Sequence, residues 1–62
     1  MIGILKMRKE RLMTQEELAN KVNVKANTIS QYELSKRTPN AIMLKKIAQA
    51  LECKVDDLLK EK

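Results

Sequence analysis

The chain has no histidine, tryptophan or phenylalanine, and a single residue each of cysteine, tyrosine, proline and glycine. Without His, and with one Cys, it can furnish neither a zinc site of ordinary ligand number nor a disulfide framework. No metal or other cofactor is therefore expected, and with one domain only no small-molecule ligand is expected either. It also lacks a Gly-rich phosphate loop and any nucleophile–base arrangement among its polar residues, which argues against an enzyme. No segment approaches the roughly 20 apolar residues that a membrane helix needs. Met1-Ile2-Gly3-Ile4-Leu5 is a short apolar start broken by Lys6, unlike a signal peptide. These absences predict a cytoplasmic protein with no membrane partner.

What is present is a chain of 62 residues with 13 Lys and Arg against 8 Asp and Glu, a net charge of +5. That length makes one domain, residues 1–62, near the lower limit for folding without a metal or disulfide. With few aromatics, the core must come from Leu, Ile, Val, Met and Ala. The shortage of Pro and Gly and the lack of strand-like alternation point to an all-helical fold. Cys53 reads as a small core residue, because a reactive thiol needs an exposed, electropositive setting.

Charge is unevenly placed. Residues 1–13 carry Lys6, Arg8, Lys9 and Arg11 against Glu10, and the stretch from Leu34 to Leu51 carries Lys36, Arg37, Lys45 and Lys46 with no acid. Such concentration suits a polyanion, with a merely solvated basic face as the alternative.

Five helices can be placed. The first is expected over about 4–12, with Ile4 and Met7 on one side and Arg8 close to that face. The second covers 15–22: Thr14 and Glu17 form the T-x-x-E capping box, in which hydroxyl and carboxylate each accept the other residue's amide. Leu18, Ala19 and Val22 follow at helical spacing. After the turn Val22-Asn23-Val24, the third helix covers 26–34, with Ile29 and Tyr32 inward and Asn27, Ser30 and Gln31 outward. Asn40 can cap the fourth helix, 41–51, whose Leu44, Ile47, Ala48 and Leu51 make one buried stripe. The last, 55–59, opens with Asp56 and Asp57, which complement the dipole at its amino end. Lys60-Glu61-Lys62 is expected to fray.

Helices two and three differ sharply in surface chemistry. The second starts acidic, whereas the third offers Asn, Thr, Ser and Gln with Lys25 at its mouth and no carboxylate before Glu33. In a basic protein, such a helix can present amides and hydroxyls to double-stranded DNA.

The blocks Met13-Thr14-Gln15-Glu16-Glu17-Leu18-Ala19, Thr28-Ile29-Ser30-Gln31-Tyr32-Glu33, Lys36-Arg37 with Pro39, Lys46-Ile47-Ala48-Gln49-Ala50-Leu51 and Asp56-Asp57-Leu58-Leu59 occur in one order. Together they make the chain resemble the Cro/CI-type helix-turn-helix domains of the XRE family of phage and bacterial repressors, over Ile4 to Leu59. The resemblance implies an all-α, five-helix lambda-repressor-like DNA-binding domain with its helix-turn-helix at helices two and three, usually dimeric on a palindromic operator. It places Lys25, Ala26, Asn27 and Gln31 where the recognition helix reaches base edges in the major groove. A side-chain amide of Asn27 or Gln31 can bond N6 and N7 of adenine, Lys25 can donate to guanine or hold a phosphate, and Ala26 offers only a methyl group. Gln15, Thr28, Ser30, Lys36 and Arg37 are placed against phosphates, and Arg8 with Glu33 as an ion pair tying the first helix to the third. Each has a plainer alternative: Asn27 as a helix cap, Gln15, Gln31, Lys36 and Arg37 as solvated surface.

Four helix ends, at Leu12, Asn23, Ser35 and Glu52, carry other residues where the family commonly has Gly. Either their geometry differs, or left-handed backbone costs the domain stability. Lys25 and Lys54 replace the usual Ser or Thr at two amino caps. The functional expectation is a transcriptional regulator, a homodimeric repressor, with an antitoxin-like or other protein-interaction module as the alternative. Dimer contacts would have to come from the globule itself. Ile42, Met43, Val55 and Leu59 are candidates for that interface, or else complete the core.

Overall fold

The computed structural model describes residues 2–59; the expected fraying at Lys60-Glu61-Lys62 lies outside them. Five helices and no strand occur among the described residues: α1 (Ile2–Glu10), α2 (Gln15–Lys21), α3 (Ala26–Glu33), α4 (Ala41–Ala50) and α5 (Val55–Leu59). None is long and apolar enough to cross a membrane. Each helix sends at least one apolar side chain to a common core. The fully buried large ones are Ile4, Leu18, Ile29, Ile47, Leu51 and Leu58, each contributing roughly 1.5–3 kcal/mol of burial. α2 and α3 pack most extensively on each other, and α1 lies against α5.

That last approach depends on Gly3. A Cβ there would sit 2.6 Å from both the Asp57 carbonyl oxygen and the Leu58 carbonyl carbon, so backbone meets backbone with no room for a side chain.

The helix starts follow local chemistry. The Thr14 hydroxyl accepts the Glu17 amide at 3.0 Å, and the Glu17 carboxylate accepts the Thr14 amide at 2.9 Å. These bonds to Thr14, with Lys21 assisting, hold the Glu17 carboxyl below its ordinary range. Asn40 caps α4 through the Met43 amide at 2.8 Å. At α5 the Asp57 carboxylate accepts the Lys54 amide at 3.2 Å, the reach-back half of a capping box; the other half needs a side-chain acceptor, which Lys54 lacks.

The helix ends share one geometry. Leu12, Asn23, Ser35 and Glu52 have φ of 54°, 61°, 59° and 55°. Each donates its amide to the carbonyl three residues back, and its successor donates to the carbonyl five back. This is the Schellman motif, built four times without glycine. Three of the successors, Met13, Val24 and Cys53, pack against the core. Cys53 is thus half-buried rather than buried, and its thiol is pushed up chiefly by desolvation, then by Asp57, with Arg11 opposing.

Two expectations need correction. The first helix spans Ile2–Glu10, not 4–12. The chain turns left-handed at Leu12, whose side chain is 91% exposed and never joins the apolar face. Helices two, three and four likewise stop one residue early, because Val22, Leu34 and Leu51 are carboxyl caps. The candidate interface set divides: Met43 and Val55 pack against the core, while Ile42 and Leu59 are exposed.

Candidate nucleic-acid interface

α3 is held by a buried carboxylate. Glu33, its last residue, is 8% exposed. It accepts from Arg8 Nε at 2.5 Å, from Arg8 Nη2 at 3.3 Å, and from Gln15 Nε2 at 2.7 Å. Arg8 Nη1 also donates to the Met13 carbonyl at 2.8 Å. One acid therefore ties together α1, the start of α2 and the end of α3. Burying such a pair contributes little net stability, since desolvation offsets attraction. Its effect is to fix how α3 sits on the other two helices.

Gln15 has a second role that no linear pattern announces. The family resemblance places it against a phosphate, yet its amide nitrogen donates to Glu33, and the side chain is half-buried. Only the crossing of α2 and α3 brings position 15 to position 33. The N-terminal basic cluster also changes meaning. Arg8 is engaged by Glu33, and Arg11 donates to the Leu51 carbonyl at 2.7 Å and the Glu52 carbonyl at 3.0 Å. Arg11 thereby clips α1 to the carbonyl end of α4, where a cation is favoured. Two of the four cations in residues 1–13 thus serve the fold.

The outward side of α3 is polar. Asn27 is exposed, and Thr28, Ser30 and Gln31 are half-exposed. Asn27 and Gln31 stand four residues apart on one face, separated by about 6 Å along the axis. Lys25 is the amino cap but its side chain makes no capping bond. Lys25, not Asn27, occupies the cap position, which leaves the Asn27 side chain outside that role. Ala26 is half-buried and packs partly against the core, so its methyl group is the least presented of the four base-reading candidates.

The end of α3 sets Lys36 and Arg37. Their amides donate to the Gln31 carbonyl at 2.9 and 3.3 Å. Where the other three left-handed turns are followed by a core residue, this one is followed by the exposed Lys36. Two cations are thus fixed by backbone bonds directly after the polar row of α3.

The profile of the helix-turn-helix family matches residues 4–58. Multiprotein-bridging factor 1 of Candida albicans is 44% identical over 53 residues, which are 86% of this chain and 35% of that protein. Its counterpart in Debaryomyces hansenii is 40% identical over 53 residues, with the same coverage of 86% and 35%. The chain therefore spans about a third of the length of these bridging factors. An uncharacterized HTH-type transcriptional regulator of Archaeoglobus fulgidus is 44% identical over 46 residues, 74% of this chain and 66% of that one. Among solved structures, the P22 c2 repressor in complex with synthetic operator 9T matches with a TM-score of 0.88 and 36% identity, over 98% of this chain and 92% of that chain.

Proposed function

The chain belongs to the helix-turn-helix family, and from that premise we propose that it is a sequence-specific DNA-binding transcriptional regulator, a homodimeric repressor of a palindromic operator read through the major groove. On this reading it binds and does not catalyse. The observation that carries the reading is the polar outer row of α3, clamped from behind by Arg8, Gln15 and Glu33 and followed by Lys36 and Arg37. Asn27 and Gln31 read base edges, Lys25 reads guanine or a phosphate, and Ala26 contributes only a methyl group at the groove wall. Thr28, Ser30, Lys36 and Arg37 hold phosphates, and Gln15 does so with the amide that Glu33 orients. The operator-bound P22 c2 repressor supports the mode of binding.

Scale supports the homodimer. A body of 24 × 23 × 19 Å makes few base contacts, and two copies fit side by side on half-sites about 34 Å apart. Selection of bound sequences from random duplexes tests the whole reading. A palindromic winner, bound with a steep loss of affinity as salt rises, is expected. A pool with no preferred sequence would refute it.

A second reading, protein bridging, is favoured by the likeness to multiprotein-bridging factors and by the exposed Leu12, Leu34, Ile42 and Leu59. It predicts a stable complex with another protein that survives the loss of Asn27 and Gln31.

A further inference from the structure

The outward row of α3 does not end at Gln31. Leu34, the carboxyl cap, has φ of −86° and ψ of 2°, and its amide donates to the Ser30 carbonyl at 3.0 Å, so it stays on the helical path. Seven residues of α-helix turn through about 700°, which returns Leu34 to within about 20° of Asn27, on the face that Gln31 shares. Its side chain is 64% exposed, whereas Tyr32 and Glu33 before it are buried. We propose that Leu34 is a further specificity-determining residue of this face, packing on the 5-methyl group of a thymine in the major groove. The inference rests on the DNA-reading function proposed above and adds to it a base contact made by an apolar side chain.

Position and chemistry together select that partner. Leu34 lies about 4.5 Å further along the helix axis than Gln31, a little over one base step of about 3.4 Å. Lys36 and Arg37 follow at once, their amides bonded to the Gln31 carbonyl. Leu34 therefore stands between an amide that reads bases and two cations that hold phosphates. DNA that engages both neighbours takes the Leu34 side chain out of water as well. Set against a phosphate oxygen, an aliphatic group would displace water and return no hydrogen bond. The thymine methyl is the apolar group that base edges present in the major groove, and it is the feature there that an aliphatic side chain can read. The other exposed large apolar residues, Leu12, Ile42 and Leu59, lie outside α3.

The test exchanges single thymines of the selected operator for deoxyuridine, which removes the methyl group and leaves the hydrogen-bonding edge intact. Anisotropy titrations compare the whole chain with its Leu34→Ala and Leu34→Met variants, each shown by its melting transition to be folded. At one thymine, about one base step from the base that Gln31 reads, the parent should lose about fourfold in affinity per half-site, the effect of one methyl group. Leu34→Met keeps the apolar reach and should show the same loss. Leu34→Ala should bind the two operators equally to within about twofold, and should bind the thymine operator more weakly than the parent does. Equal sensitivity of the parent and Leu34→Ala at every thymine would overturn the proposal. So would a loss in Leu34→Ala that is the same on a scrambled duplex, which marks a contact to the sugar–phosphate backbone. Full operator affinity in Leu34→Ala would overturn it too. A chain that prefers no operator over the scrambled duplex overturns both this inference and the DNA-reading function. A preference that survives with no methyl effect tied to Leu34 overturns this inference alone.

Discussion

Replacing Leu12 and Glu52 by glycine should make the domain more stable. Both residues adopt left-handed backbone at φ 54° and 55°, where a side chain crowds the following carbonyl at a cost of about 1–2 kcal/mol. Glycine removes that cost but returns about 0.4–1 kcal/mol of freedom to the unfolded chain. Both side chains are exposed, so their loss removes little packing, and the Glu52 carbonyl remains to accept from Arg11. The net gain is about 0.5–1 kcal/mol per site, or about 1.5 kcal/mol for Leu12→Gly/Glu52→Gly. For a domain of this size the double variant should melt roughly 6–12 °C higher. Asn23→Gly is the internal control: Asn tolerates the left-handed region, so its gain should be near zero. The two sites flank the Arg11 clip and can couple, so each single variant is measured beside the double. Thermal melts by circular dichroism and urea unfolding at constant m-value give the numbers. A double variant no more stable than the parent would refute the claim that these turns carry backbone strain.

Gly3→Ala should act in the opposite direction, forcing α1 away from α5. We expect a loss of about 1–3 kcal/mol in urea unfolding; an unchanged midpoint would show that the α1–α5 approach is looser than described. Glu33→Gln removes the charge that pairs with the Arg8 guanidinium and turns one of the two accepting oxygens into a donor, and should cost about 3 kcal/mol. It should also weaken operator binding beyond what the lost stability explains, measured below the variant's melting temperature; unaltered affinity would deny Glu33 its role in orienting α3. Lys25→Ser supplies the missing side-chain cap of α3 and should stabilise the free protein by about 1 kcal/mol. The same change should weaken operator binding in a fluorescence anisotropy titration, and tighter binding would contradict a contact from Lys25 to DNA.

Apolar periodicity together with the cap signals was enough to read the five helices in order and the side that the first four bury, but not that Leu58 is the residue α5 buries. Leu18, Ala19 and Val22, or Ile47, Ala48 and Leu51, can face only one way if the core is to close. Helix ends were harder, because the usual signal is glycine and here the stops are Leu12, Asn23, Ser35 and Glu52. At Leu12 an apolar residue invited extension of the first helix, whereas the turn's hydrogen bonds end it at Glu10. The outer row of α3 was legible because it is local to one helix. The Gln15–Glu33 bond and the Arg11 clip were not, since each joins positions brought together only by packing. Gly3 stood out only as part of a short apolar start; its meaning lies in the Asp57 and Leu58 backbone, far along the chain.

The account depends most on Asn27 and Gln31 reading base edges from the face of α3. The direct measurement is the ratio of dissociation constants for a scrambled duplex and the selected operator, in the parent and in Asn27→Ala/Gln31→Ala. Each bidentate amide–adenine contact is worth about 1–3 kcal/mol of discrimination, so the ratio should fall at least tenfold while affinity for the scrambled duplex holds. An unchanged ratio in a variant that still folds would contradict the account.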